Sequence, residues 1–355
     1  MSLHVTHEVL RLALRDPFHI AREDHGSGEG ITTVVVELRD DRFPELVGVG
    51  EGYPDRFYGE TPETMAATIR YLVALIEPTD IRYEAASAGD SLAAIARQFD
   101  AAIRWNGAAK CAVDIALHDL VGKVVGKPVY ELLDLPAAIP PTDFTIGIDQ
   151  PEIVAERAAR AAAFPALKIK LGGPQDLATL RAVRGVFPGP IRVDANTGWT
   201  REAAERLLPE IVALGVELIE QPFPARAYRD LAWLQERSSI PIVADESAVT
   251  VEDLDALVGV VAGVNVKLAK CGGIAPAKAM LERARGLGFR TFLGCMEETS
   301  VGIAASAAVA SLADWVDLDG CLLLADDPFE GLQLDDRHRW ILPSRPGLGL
   351  TRRAV

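Results

Sequence analysis

Six residues in this chain have types and spacing suited to proton transfer beside a metal ion. Lys168 and Lys170 sit one residue apart in the apolar run LKIKLGG (167–173), and Lys267 lies in VNVKLAK (264–270). Asp194, Glu220 and Asp245 end three separate apolar runs, IRVD, VELIE and IPIVAD, at intervals of 26 and 25 residues. Three converging carboxylates repel one another unless a cation sits among them. An all-oxygen set, with no His and no Cys, points to a hard divalent ion such as Mg²⁺. Side chains at i and i+2 share one face of a strand, so Lys168 and Lys170 point the same way. Lysine is rarely buried without a compensating charge. Lysines on opposite sides of a metal-bound substrate can take a proton from one face and return one to the other. A nearby metal ion and the Lys168 ammonium both favour the neutral amine that a base at Lys170 must be. Blander readings exist for each part alone. A strand-end Asp is usually a helix N-cap, and a KxK pair can snorkel from an edge strand. The recurrence of an acid at unit spacing favours the site.

These residues need a scaffold that brings distant segments to one place. From about 142 the chain alternates strand-like and helix-like runs. The strand-like runs are DFTIGI, ALKIKLG, IRVDAN, VELIEQP, IPIVADE, VNVKLAK, TFLGCM and WVDLDG, with seven helix-like runs between them. This predicts a closed parallel barrel lacking its last helix, with the acids and lysines at the C-terminal ends of its strands. A doubly wound open sheet is the alternative. No GxGxxG or P-loop fingerprint supports it, since GVGEG (48–52) is only a fragment of the first. The preceding region reads as strands first (LHVTHEVLRLAL, GITTVVVELRD, LVGVGEG) and helices second, an α+β arrangement. Thr61 followed by Pro62 marks the first helix start. The expected division is an α+β capping domain over 1–135, a barrel over 136–325, and a C-terminal segment over 326–355 that packs back on the capping domain.

Composition narrows the class. The 355 residues are 49% hydrophobic and 25% charged, as in ordinary globular proteins. A formal charge of −15 with no basic block argues against nucleic acid as a partner. No window approaches the roughly 18 apolar residues of a spanning helix, and the N-terminus lacks a signal-peptide core, so no membrane is expected and the cytoplasm is the expected location. Cys111, Cys271, Cys295 and Cys321 are scattered and form no disulfide framework. A homo-oligomer is expected, of no fixed number.

At these residues the sequence resembles the enolase superfamily, in its muconate-lactonizing subgroup. The resemblance runs from DIALHDLVGKVVGKPVYELL (114–133) through KIK, DANTGW, EQP, ADES and VKLAKCGGI. It implies an α/β fold, a (β/α)7β modified TIM barrel with an α+β capping domain. It implies one Mg²⁺ per subunit on Asp194, Glu220 and Asp245, with Lys170 and Lys267 as the acid/base pair and Lys168 assisting electrostatically. Several isomerase and lyase reactions share this frame. The choice rests on strand eight, where Asp317 and Asp319 in VDLDGCLL resemble the paired aspartates with which dipeptide epimerases hold a substrate α-ammonium. Two acids without a metal suit a cation; the bland reading is a turn cap. The resemblance then implies inversion of the α-carbon of a dipeptide's C-terminal residue by two-lysine 1,1-proton transfer through a metal-stabilised enediolate. The alternatives are o-succinylbenzoate synthase, N-acylamino acid racemase and muconate cycloisomerase. CMEET (295–299) gives Glu298 a supporting binding role. The loops FHIAREDHGSGEG (18–30) and YPDRFYGET (53–61) are expected to read the substrate side chain, either through Arg22, whose pull on an anion Glu23 and Asp24 beside it weaken, or instead through an apolar wall at Phe57 and Tyr58.

Overall fold

The computed structural model describes residues 2–25, 30–77 and 79–353. Eight parallel strands form the central sheet: Phe144–Ile146, Leu167–Lys170, Ile191–Asp194, Val216–Glu220, Ile242–Ala244, Gly263–Val266, Arg290–Gly294 and Trp315–Asp317. Each pairs with its sequence neighbour. A bridge between Thr142 and Val316 brings the first and eighth strands together, so the barrel is nearly closed. Helices cross between successive strands, for example Pro151–Arg160 after the first and Asp176–Val186 after the second. The eighth strand leads only into a single turn, Gly320–Leu323.

The strands are short and almost entirely buried because helices cover them outside and side chains fill them inside. Leu167 and Ile169 meet the outer apolar layer. Inside, Leu218, Val243, Phe292 and Trp315 form a separate small cluster. Lys168 Nζ and the Arg192 guanidinium both approach the Phe292 ring, at 5.3 and 5.4 Å. The barrel interior is thus a packed plug that includes the buried Arg192–Asp143 ion pair, and Asp194, Glu220 and Asp245 stand above it at the strand ends.

An antiparallel sheet of Leu3–Leu12, Ile31–Asp40 and Gly48–Gly52 makes up the rest of the N-terminal region, with helices Pro62–Leu75, Ala88–Ala102 and Gly107–Val125. The glycines of GVGEG have a mechanical role here. A Cβ on Gly48, Gly50 or Gly52 would fall 2.0–2.1 Å from the carbonyl oxygens of Ala116, Ala112 and Ala108. Those alanines repeat at i, i+4, i+8 along one face of the long helix, so its backbone lies directly on the strand. Glu51, between two of these glycines, turns the other way. It accepts from Thr299 N (3.0 Å), Thr299 Oγ1 (2.6 Å) and Gly302 N (2.9 Å), tying this sheet to the barrel's seventh helix, Ser300–Ala307. The C-terminal segment returns to the N-terminal region through Leu348 N on Asp119 Oδ1 (2.8 Å) and Arg352 Nη2 on Glu8 Oε2 (2.5 Å). No helix among the described residues is long and apolar enough to cross a membrane.

Candidate active site

Asp194 and Glu220 are the last residues of the third and fourth strands, and Asp245 directly follows the fifth. One oxygen from each lies within 4.8 Å of the others, and all three residues are buried. Glu220 Oε2 makes no hydrogen bond, although Lys168 Nζ stands 2.8 Å away. Three buried carboxylates converging at one point are ligands that suit a hard divalent cation.

The lysines surround this triad. Lys168, only 1% exposed, lies 2.8 Å from Glu220, 3.2 Å from Asp194 and 2.7 Å from Asp317. Lys170 Nζ reaches Asp194 Oδ2 at 2.7 Å, and Lys267 Nζ reaches Asp245 Oδ2 at 3.0 Å. The triad is therefore flanked by an ammonium from strand two on one side and one from strand six on the other. Gly294, at the end of the seventh strand, keeps this corner open. A Cβ there would lie 2.8 Å from the Asn265 side chain and 3.1 Å from Lys267 Cε.

The electrostatics follow the partners. Burial opposes every charge here, yet Lys170 and Lys168 hold the Asp194 carboxyl below the ordinary range. Against the same burial, Lys267 and Lys270 hold Asp245 well below it. Burial and the Asp194 charge push Glu220 up to about 7, with Lys168 opposing them. Burial disfavours the Lys267 ammonium, but the Asp245 carboxylate overrides it and the amine holds its proton more tightly than a free lysine.

The strand-eight pair differs from what the sequence suggested. Two acids without a cation were expected, but Asp317 already has one, Lys168, and it also accepts from Thr145 Oγ1 at 3.0 Å. Despite burial, Lys168 holds the Asp317 carboxyl below its usual range. Asp319 accepts from Thr145 N at 2.6 Å, and burial together with the Asp317 charge raises its pKa well above the ordinary value.

Over the mouth, the Ala21 Cβ packs within 2.4 Å of where a Cβ on Gly172 would stand, and 2.7 Å from one on Gly198. This seats the Arg22 turn above the exits of strands two and three. Arg22 Nη1 bonds Glu246 Oε1, its Nη2 lies 3.7 Å from Asp55, and its guanidinium covers the Phe57 ring at 4.3 Å. Phe57 is 43% exposed. The Tyr58 hydroxyl is buried without a hydrogen bond, and Asp245, Lys267 and Arg22 all act on it electrostatically. Residues 26–29 of the first loop lie outside the described residues. Glu298 is buried beneath Gly302, and burial with the Glu51 charge pushes its carboxyl up to about 8.

Sequence alone assigns Lys270 no role. It is a fully buried ammonium with four acceptors. Its signal was a lone charge in the uncharged run LAKCGGIAPA, where a buried lysine needs a partner. Asn265 was also missed. It stands two residues before Lys267 on the same strand face and donates to Glu220 Oε1 at 2.7 Å.

Known proteins fit this geometry. Residues 2–134 match the N-terminal domain of the mandelate racemase / muconate lactonizing enzyme family, and residues 153–354 match the enolase C-terminal domain-like family. The L-Ala-D/L-Glu epimerase of Bacteroides thetaiotaomicron is 37% identical over 311 residues, covering 87% of this chain and 79% of that protein. The L-Ala-D/L-amino acid epimerase of Pedosphaera parvula is 36% identical over 335 residues, covering 92% of this chain and 93% of the relative. The crystal structure of the Enterococcus faecalis dipeptide epimerase, complexed with Mg and L-Leu-L-Tyr, is similar with a TM-score of 0.87 at 31% identity, over 99% of each chain. With both domain families matched in order and the acids and lysines gathered at one barrel mouth, the chain belongs to the enolase superfamily, in its mandelate racemase / muconate lactonizing branch.

Proposed function

We propose that this protein is a Mg²⁺-dependent dipeptide epimerase that inverts the α-carbon of the C-terminal residue. The observation that carries the reading is the placement of Lys170 and Lys267, each paired to a different member of one carboxylate triad, at 2.7 and 3.0 Å. Relatives that act on dipeptides support it. Asp194, Glu220 and Asp245 would hold the Mg²⁺. When bound, the ion supplies positive charge to the substrate carboxylate as negative charge develops there.

The chain's own groups do the rest. Lys170 as the free amine takes the α-proton from one face, and the Lys267 ammonium gives its proton to the opposite face. The roles reverse for the other epimer. Lys168, fixed among three carboxylates, stays charged and steadies the substrate carboxylate. Asp317 and Asp319 receive the α-ammonium of the N-terminal residue. Glu298, whose carboxyl is pushed up by burial and the Glu51 charge and whose Oε1 is unbonded, supports substrate binding. The packed plug below and the capping turn above limit water around the reacting carbon.

The side chain of the inverted residue meets Arg22 and Phe57. Arg22 is already matched by Glu246 and Asp55, so it offers an acidic side chain little net attraction. Apolar and neutral polar side chains therefore suit the site better than Asp or Glu. A dipeptide library incubated with enzyme and Mg²⁺ in D₂O, read by mass spectrometry, tests both levels. Epimerisation should bring one deuterium into the C-terminal residue, with L-Ala-L-Phe turned over faster than L-Ala-L-Glu. A library without any deuterium uptake overturns the activity; a preference for L-Ala-L-Glu overturns only the side-chain assignment.

A further inference from the structure

Asp245 has both its oxygens engaged by lysines three residues apart. Oδ2 faces Lys267 at 3.0 Å, while Oδ1 receives Lys270 Nζ at 2.5 Å. The two lysines belong to one piece of backbone: Lys267 precedes the single helical turn Leu268–Cys271, and Lys270 N donates back to Lys267 O at 3.0 Å. Beyond Oδ1, the Lys270 ammonium donates to three carbonyls: Asp245 O (2.7 Å), Ala248 O (2.9 Å) and Asn265 O (2.9 Å). These carbonyls come from the exits of strand five and from strand six. A primary ammonium has three protons and here four acceptors, so its position is over-determined. The turn is backed from outside as well. A Cβ on Gly107 would fall 2.2 Å from Lys270 O, and Asp114 Oδ2 accepts Ile274 N just past the turn at 2.6 Å. Both contacts come from the long helix Gly107–Val125 of the N-terminal region.

We infer that Lys270 is a positioning residue for the metal centre: it pins Asp245 Oδ1 and thereby fixes Oδ2 toward the ion and Lys267. The inference rests on the assignment of Asp245 as a Mg²⁺ ligand. Lys270 has no route to substrate, because its ammonium is spent on protein acceptors. Its effect is on geometry, and the geometry sets the spacing between a metal ligand and the Lys267 acid/base. A group whose only role was to balance charge would act in the opposite direction. Removing a nearby positive charge from a carboxylate strengthens its attraction for a cation. Releasing a pinned ligand weakens metal binding, and such outer contacts are worth about 10–100-fold in affinity. The sign of the change separates the two roles.

The test is Mg²⁺ binding by isothermal titration calorimetry, without substrate, on the wild type, Lys270→Met and Lys270→Gln. Thermal melts and circular dichroism accompany each. Methionine keeps the length and apolar stem; glutamine keeps part of the donor capacity. The expected result is a Mg²⁺ dissociation constant about tenfold or more higher in Lys270→Met, with a smaller loss in Lys270→Gln. Unchanged or tighter Mg²⁺ binding in a folded variant overturns the inference in favour of charge balance. If neither variant folds, Lys270 is a folding element and the positioning role is equally overturned. A wild type that binds no Mg²⁺ instead removes the metal assignment beneath it.

Discussion

The buried carboxylates at the barrel mouth divide into those that face an ammonium and those that do not. Asp194, Asp245 and Asp317 each pair with lysine and hold their charge below the ordinary carboxyl range. Asp319 and Glu298 have no such partner, and burial beside another acid raises both. Glu220 falls between them, pushed up to about 7 by burial and by the two acids that flank it, which Lys168 offsets only in part. Burial is similar throughout, so the neighbours decide the charge. One set of side chains thus includes carboxyls whose charge is held by lysine and others that burial and neighbouring acids make easier to protonate.

The largest effects should come from the lysines on either side of the triad. Lys170→Ala and Lys267→Ala should each reduce epimerisation by roughly a thousandfold, the scale of lost general acid–base catalysis. Polarimetry or chiral chromatography of a turned-over dipeptide measures this.

Asp194→Asn and Asp317→Asn should then separate the two uses of a charged carboxylate. The first should abolish measurable Mg²⁺ binding in calorimetry. The second should leave it within a few-fold of wild type and lower kcat/KM for a free dipeptide by about tenfold to a hundredfold, the worth of one charged hydrogen bond. An N-acetylated dipeptide, which lacks the ammonium, should show little difference between wild type and Asp317→Asn. Equal losses on both substrates would show that Asp317 serves only to hold Lys168.

Gly294→Ala should cost about a hundredfold in kcat with little change in melting temperature. Its methyl would displace Asn265 and Lys267, and the strand itself has room for the φ and ψ of alanine.

The smallest effect concerns Glu298, the acid without a cation. Its folded pKa of about 8 lies above the 4.5 of a free glutamate, so the folded state binds the extra proton between these values. Stability from this group is fully present below pH 4.5 and is lost as pH rises through about 8. The slope is at most about 1.4 kcal/mol per pH unit. Glu298→Gln should flatten the fall in denaturation midpoint between pH 5 and 8; an unchanged profile would place the titration elsewhere.

The barrel and its charged mouth were legible because they leave periodic marks. Strand and helix alternate, acids recur at one unit's spacing, and a KxK repeat sets two ammoniums on one face. The contacts between distant segments left no such mark. Nothing local in VDLDG says that Lys168, on a strand far back in the chain, already balances Asp317. Arg22 reads as a free loop cation until Glu246 and Asp55 are seen beside it. GVGEG reads as a broken nucleotide fingerprint until Ala108, Ala112 and Ala116 are seen lying on it. Lys270 leaves no mark because three of its four acceptors are backbone carbonyls and the fourth is a carboxylate at the end of another strand, and backbone carbonyls have no letter in a sequence.

The central claim is that Lys170 and Lys267 address opposite faces of one α-carbon. It is tested most directly by ¹H NMR of α-proton washout in D₂O, with Lys170→Ala and Lys267→Ala each given the L,L and L,D dipeptides separately. Each variant should exchange the α-proton of one epimer only, without inversion, and the exchanging epimer should differ between the two. Exchange of the same epimer by both variants, or inversion by either one at close to the wild-type rate, would contradict the two-lysine account.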